Sequence, residues 1–263
     1  MNNYLQVARA IAQEAGRLVL AEFHRRPVVE YKAEADIVTV ADRKSEELIV
    51  ERLHLLCPTH AIVAEEGGRR EGRSEYCWYV DPLDGTTNFA HSYPVFAVSL
   101  ALARGDEIQV GVVYDPVHEE MFYAAAGEGA WLNQQPIRVS SAPRLGESLV
   151  ATGFPTRKRQ RHPNVAYFHR FTQLTHGVRR DGSAALDLCY VACGRFDGFW
   201  ELNLNPWDTT AGVLLVREAG GEVTDFQGRA FRLDHEELLA TNRHIHAEMR
   251  HVLIEVAAEA APP

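Results

Sequence analysis

Tyr76-Cys77-Trp78-Tyr79-Val80-Asp81-Pro82-Leu83-Asp84-Gly85-Thr86-Thr87-Asn88-Phe89 is the stretch around which the rest of the chain is organised. Its apolar start, Tyr76 to Val80, reads as a buried strand. Two carboxylates follow, Asp81 and Asp84, with Pro82 fixing the chain between them. Gly85-Thr86-Thr87-Asn88 then joins backbone freedom to the small hydroxyl and amide groups that begin helices. A strand that delivers two acids into a turn and then points fresh N–H groups outward can hold a hard cation beside a phosphate. The plainer alternative is a structural Asp turn, and the stretch alone leaves both open.

Ahead of it, residues 3–26 carry Leu5, Ala8, Ile11, Ala12, Ala15, Leu18, Val19 and Phe23 at helical spacing, an amphipathic helix. Asp36 to Asp42 leads into a second predicted helix, Ser45 to Leu56, with Leu48, Ile49, Leu53 and Leu56 on one side and Pro58 beyond its end. Asp42 is placed either to cap that helix or to serve the site. Ala61 to Ala64 is a short strand that delivers Glu65-Glu66 into Gly67-Gly68, as the central strand delivers Asp81. Residues 69–75 read as a solvated, mobile loop.

Behind it, Val95–Arg104, Ile108–Tyr114 and Glu120–Ala125 predict antiparallel strands, with one more short strand over Trp131 to Pro136. A strand at Ser148–Thr152 opens the other half. The basic run Thr156-Arg157-Lys158-Arg159-Gln160-Arg161-His162 is a solvated loop, a guanidinium contact to a phosphate, or a docking patch for an acidic partner or RNA. Helices are expected over 163–176, from Gly182-Ser183-Ala184 to Cys193-Gly194, from Pro206 through Glu218, and from about His244 to Ala258. Phe196–Leu202 is a strand bearing Glu201; further strands fall at Glu222–Asp225 and Leu238–Thr241. Asp208 lies in the first turn of its helix, where the helix dipole favours a carboxylate with or without a second role. No Gly-, Ser- or Pro-rich boundary divides the chain. It reads as one domain, 1–263, of two closely packed subdomains, about 1–145 and 146–263.

With 46% hydrophobic and 24% charged residues, the composition is that of an ordinary globular protein. A net charge of −9 argues against a general nucleic-acid binder, but bound cations would let an acidic site take an anion. The four cysteines show no zinc or redox spacing, and Cys189 and Cys193 at i and i+4 suit core packing. No apolar run reaches the ~20 residues that span a bilayer, and the amino terminus lacks a leader pattern. A cytoplasmic protein is expected. The twelve histidines form no ligand motif, and no Gly-x-Ser-x-Gly elbow supports a serine hydrolase.

Glu65, Asp81, Asp84 and Asp208 are thus four acids at element ends, without histidine or cysteine company. All-oxygen ligation suits Mg²⁺ or Mn²⁺. Brought together without cations, such acids would repel and hold protons. Metal ions that share a carboxylate stabilise an in-line displacement at phosphorus.

These elements, Glu65-Glu66, Asp81-Pro82-Leu83-Asp84-Gly85-Thr86-Thr87-Asn88-Phe89, and Trp207-Asp208-Thr209-Thr210-Ala211-Gly212 with Glu218-Ala219-Gly220-Gly221, resemble the signatures of the inositol monophosphatase family in order and spacing. Thr152-Gly153-Phe154-Pro155 resembles the bacterial branch. The resemblance implies an α/β fold layered α-β-α-β-α, assembled as a homodimer. It implies a first Mg²⁺ on Glu65, Asp81 and the Leu83 carbonyl, a second on Asp81, Asp84 and Asp208, and a third, weaker ion near Glu65. Thr86 and Asp42 would orient and help deprotonate the attacking water, and the Gly85 and Thr86 N–H groups would cradle the phosphate. Asp84, Gly182, Ser183, Ala184 and Glu201 would contact the polyol hydroxyls, and lithium would inhibit.

The implied reaction is hydrolysis of a small phosphate monoester, myo-inositol 1-phosphate first. Histidinol phosphate, NADP, 3′-phosphoadenosine nucleotides and fructose 1,6-bisphosphate are rival substrates on the same fold. Glu201 favours a hydroxyl-rich substrate. Some bacterial relatives also join RNA polymerase antitermination complexes, a partner that the basic run and Arg179-Arg180 could serve.

Overall fold

Leu5, Ala8, Ile11, Ala12, Ala15 and Val19 form a buried stripe that turns α1 (Asn3–Phe23) onto a sheet. The computed structural model describes residues 3–25, 29–33, 36–154 and 164–260. A two-stranded hairpin, β1 (Val29–Ala33) and β2 (Asp36–Thr39), leads into α2 (Val40–Leu56). α2 starts at Val40 rather than at the expected Ser45, because Thr39 caps it and Asp42 returns the bond to the Thr39 backbone. Of its expected apolar face, Ile49 and Leu53 are buried with Val50, whereas Leu56 stays about half exposed.

The first large sheet is built from β3 (Ala61–Ala64), β4 (Gly68–Arg70), β5 (Tyr76–Asp84), β6 (Ala97–Arg104), β7 (Glu107–Asp115), β8 (Glu120–Ala125), β9 (Ala130–Leu132) and β10 (Gln135–Ile137). Its eight strands run in the order β10-β9-β8-β7-β6-β5-β3-β4. The pairing is antiparallel throughout except between β3 and β5, which are parallel. Two expectations change here. Part of the supposed loop 69–75 is β4, an exposed edge strand paired with β3, and the single strand expected over Trp131 to Pro136 is the hairpin β9–β10. One-turn helix α3 (Thr86–Ala90) follows β5.

The second sheet takes β11 (Leu149–Thr152), β12 (Gly177–Arg179), β13 (Gly198–Leu202), β14 (Glu222–Thr224) and β15 (Glu237–Thr241) in the order β12-β11-β13-β15-β14. Helices α4 (Asn164–Leu174), α5 (Ala184–Ala192), α6 (Pro206–Glu218) and α7 (His246–Ala260) complete the chain. β12 was not foreseen, being only Gly-Val-Arg; it exists because β11 offers it a parallel neighbour.

Alternation along the strands sorts the side chains into separate cores. Val98, Leu100 and Leu102 of β6 pack with α1 and α2, while Ala97 and Ala101 on its other face pack with α5 and α6. Phe199 of β13 joins that same middle core, and Trp200 turns instead to α4 and α7. The layers are therefore helices, sheet, helices, sheet, helices, a mixed α/β architecture. Small residues let the middle helices close in: a Cβ on Gly111 would meet the Ala211 carbonyl oxygen at 2.7 Å, so α6 rests on bare backbone of β7. All four cysteines are free thiols, and Cys189 is fully buried, in keeping with core packing. Among the described residues no helix is long and apolar enough to cross a membrane.

Candidate active site

The parallel pair β3 and β5 explains why two acids leave the first sheet side by side. Ala64 pairs with Val80, and the Glu65 N–H donates to the Val80 carbonyl at 3.2 Å, which carries the register to Glu65 and Asp81. After Asp81 the pairing of β5 with β6 slips. Pro82 has no N–H to give the ladder, and the Leu83 N–H turns back to Asp81 Oδ1 at 3.0 Å. Ser45 Oγ holds the turn from below by donating to the Pro82 carbonyl at 2.8 Å.

Asp84 reaches the other half of the molecule. Its Oδ2 accepts from Ser183 Oγ at 2.6 Å and from the Ala185 N–H at 2.8 Å, the first groups of α5. The N–H groups of Ala184 and Gly85 also favour its charge. Asp84 thus stands at the start of α5, where the helix dipole favours its charged form, and Ser183 caps that helix by accepting from Leu186 N–H. Next to Ser183 the chain is pinned from the first half: Asn88 Nδ2 donates to the Asp181 carbonyl at 2.7 Å and to the Val95 carbonyl at 2.8 Å. Gly182 lies against the Asn88 amide. Gly85, with φ of +94°, sits in the left-handed region that a glycine adopts without strain and opens α3.

Thr86 and Asp42 meet across the first half. Thr86 Oγ1 lies 2.9 Å from Asp42 Oδ1 and 3.0 Å from the Leu83 carbonyl oxygen. A hydroxyl has one proton, so it donates to one of them at a time and keeps lone pairs for another donor. Asp42 Oδ2 takes the Thr39 N–H at 2.7 Å and the Thr39 hydroxyl at 2.5 Å. The capping and the site readings of Asp42 are therefore compatible: one oxygen faces the cap and the other faces Thr86.

Asp208 enters from α6, where it bonds back to the Asn205 N–H at 2.7 Å. Glu201, on β13, is buried. Burial first, and then the charges of Glu65, Asp84 and Asp208, push the Asp81 carboxyl well above the usual range. Burial, then Asp84, lifts Asp208 to about 7 against the bonds from Asn205. Glu201 rises to about 8 through burial, Asp208 and Asp84, opposed by Arg180. Asp42 and Asp84 are also raised, chiefly by burial. The structure thus brings Glu65, Asp84 and Asp208 within electrostatic reach of Asp81, and Asp84 and Asp208 within reach of Glu201.

Such a set calls for positive charge. Among the described residues no group of three or more His, Cys, Asp or Glu side chains stands spaced to hold a metal ion as it is. The chemistry of the donors nevertheless fits hard divalent cations: the carboxylates repel one another, and the nearby Leu83 carbonyl and Thr86 hydroxyl supply only oxygen.

Several residues of the site escaped sequence reasoning. Glu46 accepts from the Glu66 N–H at 2.8 Å and so fixes the turn that carries Glu65. With Asp42 and Ser45 it makes the buried face of the first turns of α2 polar, and the i, i+3, i+4 spacing of those polar residues was the available signal. Asp187, fully buried in the otherwise apolar Ala-Ala-Leu-Asp-Leu run of α5, keeps its carboxyl well above the usual range through burial, Asp181 and Glu201. The basic run Thr156 to His162 lies outside the described residues.

The family model described as "Inositol monophosphatase family" matches residues 1–259. A Synechocystis protein named inositol-1-monophosphatase is 45% identical over 256 residues, covering 96% of this chain and 89% of its own. A protein of Pseudomonas aeruginosa named Nus factor SuhB is 45% identical over 250 residues, 92% of each chain. The solved inositol monophosphatase of Anabaena superposes with a TM-score of 0.88 at 44% identity, over 96% of this chain and 95% of that one.

Proposed function

The chain belongs to the inositol monophosphatase family, and from that premise we propose that it hydrolyses a small polyol phosphate, myo-inositol 1-phosphate foremost, with Mg²⁺. The family is one of phosphatases and is generally metal-dependent. The observation that carries the proposal is the meeting of Asp81, Asp84 and Asp208 from β5 and α6, each held above its ordinary pKa by burial and, for Asp81 and Asp208, by neighbouring carboxylates.

Glu65, Asp81 and the Leu83 carbonyl would hold one ion, Asp81, Asp84 and Asp208 a second, and a weaker third would lie near Glu65. When bound, Mg²⁺ supplies Lewis-acid stabilisation of charge on the phosphoryl and leaving oxygens. Asp42 draws the Thr86 proton, which leaves a Thr86 lone pair to accept from an attacking water. The Asp42 carboxyl, raised by burial, is poised to take up the proton that this relay delivers. The Thr86 N–H at the start of α3 would cradle the phosphate beside the Gly85 N–H, which also bonds Asp84. Asp84, the α5 start from Gly182 to Ala184, and Glu201 accept and donate to the hydroxyls of the polyol, as a carboxylate suits adjacent OH groups. Phosphate release from a panel of inositol 1-phosphate, histidinol phosphate, NADP, a 3′-phosphoadenosine nucleotide and fructose 1,6-bisphosphate tests the substrate. Preference for another member keeps the reaction and replaces the substrate.

A second role is favoured by the relatives that bear the name Nus factor: a contact with RNA polymerase in antitermination. Arg179 and Arg180 are exposed and suit an acidic partner. Pull-down with RNA polymerase by the wild type and by a variant with Arg157, Lys158, Arg159 and Arg161 changed to Glu tests the basic run; equal capture excludes it. Self-association as a homodimer belongs to the same proposal, and sedimentation at several concentrations tests it.

A further inference from the structure

Behind the acids, the second sheet carries a joint that the reaction leaves unused. Asn164, the first residue of α4, is fully buried, as are Thr152 at the end of β11 and Trp200 on β13. Trp200 Nε1 donates to Asn164 Oδ1 at 2.6 Å, and Asn164 Nδ2 donates to Thr152 Oγ1 at 2.9 Å and to the Gly153 carbonyl at 2.5 Å. Thr152 Oγ1 in turn donates to the Trp200 carbonyl at 2.6 Å. One amide therefore ties the end of β11 to the residue that precedes Glu201. Its orientation is fixed, since only the oxygen can face the indole N–H and only the nitrogen can face the carbonyl.

Gly153 converts this joint into a constraint on Glu201. A Cβ at Gly153 would stand 2.1 Å from Glu201 Oε2 and 2.2 Å from Oε1, far inside contact distance. The Glu201 carboxylate thus lies flat on the bare Cα of Gly153. No backbone atom is among the three nearest to that Cβ; all of them belong to the mobile end of one side chain. An added methyl would displace that carboxylate while sparing the fold.

We propose that Gly153 and Asn164 are positioning residues that set the Glu201 carboxylate, and through it the selectivity of the site for hydroxyl-bearing phosphate esters. This rests on the reading of Glu201 as the contact to substrate hydroxyls. Asn164 holds Gly153 against β13, and Gly153 supplies the floor on which Glu201 lies. A larger residue at 153, or an amide at 164 turned into an acceptor, moves the carboxylate away from where a ring hydroxyl would meet it.

The test compares kcat and KM for myo-inositol 1-phosphate and for phenyl phosphate, which has no hydroxyls, at saturating Mg²⁺. Variants are Gly153→Ala, Asn164→Asp, Glu201→Ala and the double Gly153→Ala/Glu201→Ala, each with its melting temperature. The expected result for Gly153→Ala and for Asn164→Asp is a loss of about tenfold in the ratio of kcat/KM for the inositol ester over phenyl phosphate, mainly in KM for the inositol ester. Gly153→Ala added to Glu201→Ala lowers the ratio no further, as it should if it acts through that carboxylate. An unchanged ratio in both Gly153→Ala and Asn164→Asp, beside a lowered one in Glu201→Ala, overturns the proposal and spares the role of Glu201. An unchanged ratio in Glu201→Ala overturns the role of Glu201 itself.

Discussion

Ser183 Oγ donates to Asp84 Oδ2 at 2.6 Å, and this bond joins the end of β5 in one sheet to the start of α5 beside the other. The same hydroxyl caps α5, so a single side chain orients an acid of the site and starts the helix that lies between the sheets.

Ser183→Ala removes both bonds. Loss of a serine cap costs about 0.5–2 kcal/mol, so melting should fall by about 2–4 °C for each kcal/mol lost. Ser183→Thr keeps the hydroxyl and should restore both stability and turnover. Calorimetry and phosphate release on the two variants check this; equal melting of Ser183→Ala and wild type would remove Ser183 from the joint.

Thr39 and Asp42 separate capping from chemistry. Thr39→Ala should cost about 1 kcal/mol of stability with turnover largely kept, because Asp42 Oδ1 still faces Thr86. Asp42→Ala should cost similar stability and in addition lower kcat by about 10²–10⁴-fold, the usual range for loss of a general base. Equal kcat in the two variants would leave Asp42 as a cap alone.

Protonation of the acids makes stability depend on pH in a definite direction. Asp208 is raised from 3.8 to about 7 and Glu201 from 4.5 to about 8 in the metal-free protein. Between the unfolded and folded values the folded state binds more protons, so stability falls as pH rises. The metal-free protein should therefore melt lower at pH 8 than at pH 5. Mg²⁺ should stabilise it more at pH 8, where the ligands are ionised and ion and proton no longer compete. Thermal melts with EDTA and with Mg²⁺ at both pH values decide it; an EDTA melt that rises with pH would show that the acids are not held protonated.

Gly111→Ala tests whether the placement of Asp208 depends on how α6 rests on the sheet. The added Cβ meets a backbone carbonyl that cannot swing aside, and such overpacking costs about 1–3 kcal/mol. Asp208 starts the helix that must move, so KM for Mg²⁺ should rise together with the loss of stability. Lower stability with an unchanged KM for Mg²⁺ would uncouple the packing from the acid.

The sequence was most legible where a backbone rule and a charged side chain coincide. Asp81-Pro82-Leu83-Asp84-Gly85 reads as a strand end running into a turn because proline and glycine allow little else there, and the register of β3 against β5 places Glu65 beside it. Less was legible where partners came from afar. β4 and β12 are three-residue strands that owe their pairing to β3 and β11. Their own composition carries no strand signal. Asp187 and Glu46 are helical acids whose burial depends on what packs over them. The joint of Asn164, Thr152 and Trp200 spans residues far apart in the chain, and no local pattern announces it.

The most direct test of the central claim is phosphate release from myo-inositol 1-phosphate by the wild type and by Asp81→Asn, at saturating Mg²⁺, with EDTA or lithium in parallel. Asp81 is the acid that faces Glu65, Asp84 and Asp208 together. The expected result is Mg²⁺-dependent, lithium-sensitive release by the wild type and a loss of about a thousandfold or more in Asp81→Asn, with melting and dichroism of the variant intact. Wild-type Mg²⁺-dependent turnover by Asp81→Asn would contradict the carboxylate site as the seat of the reaction.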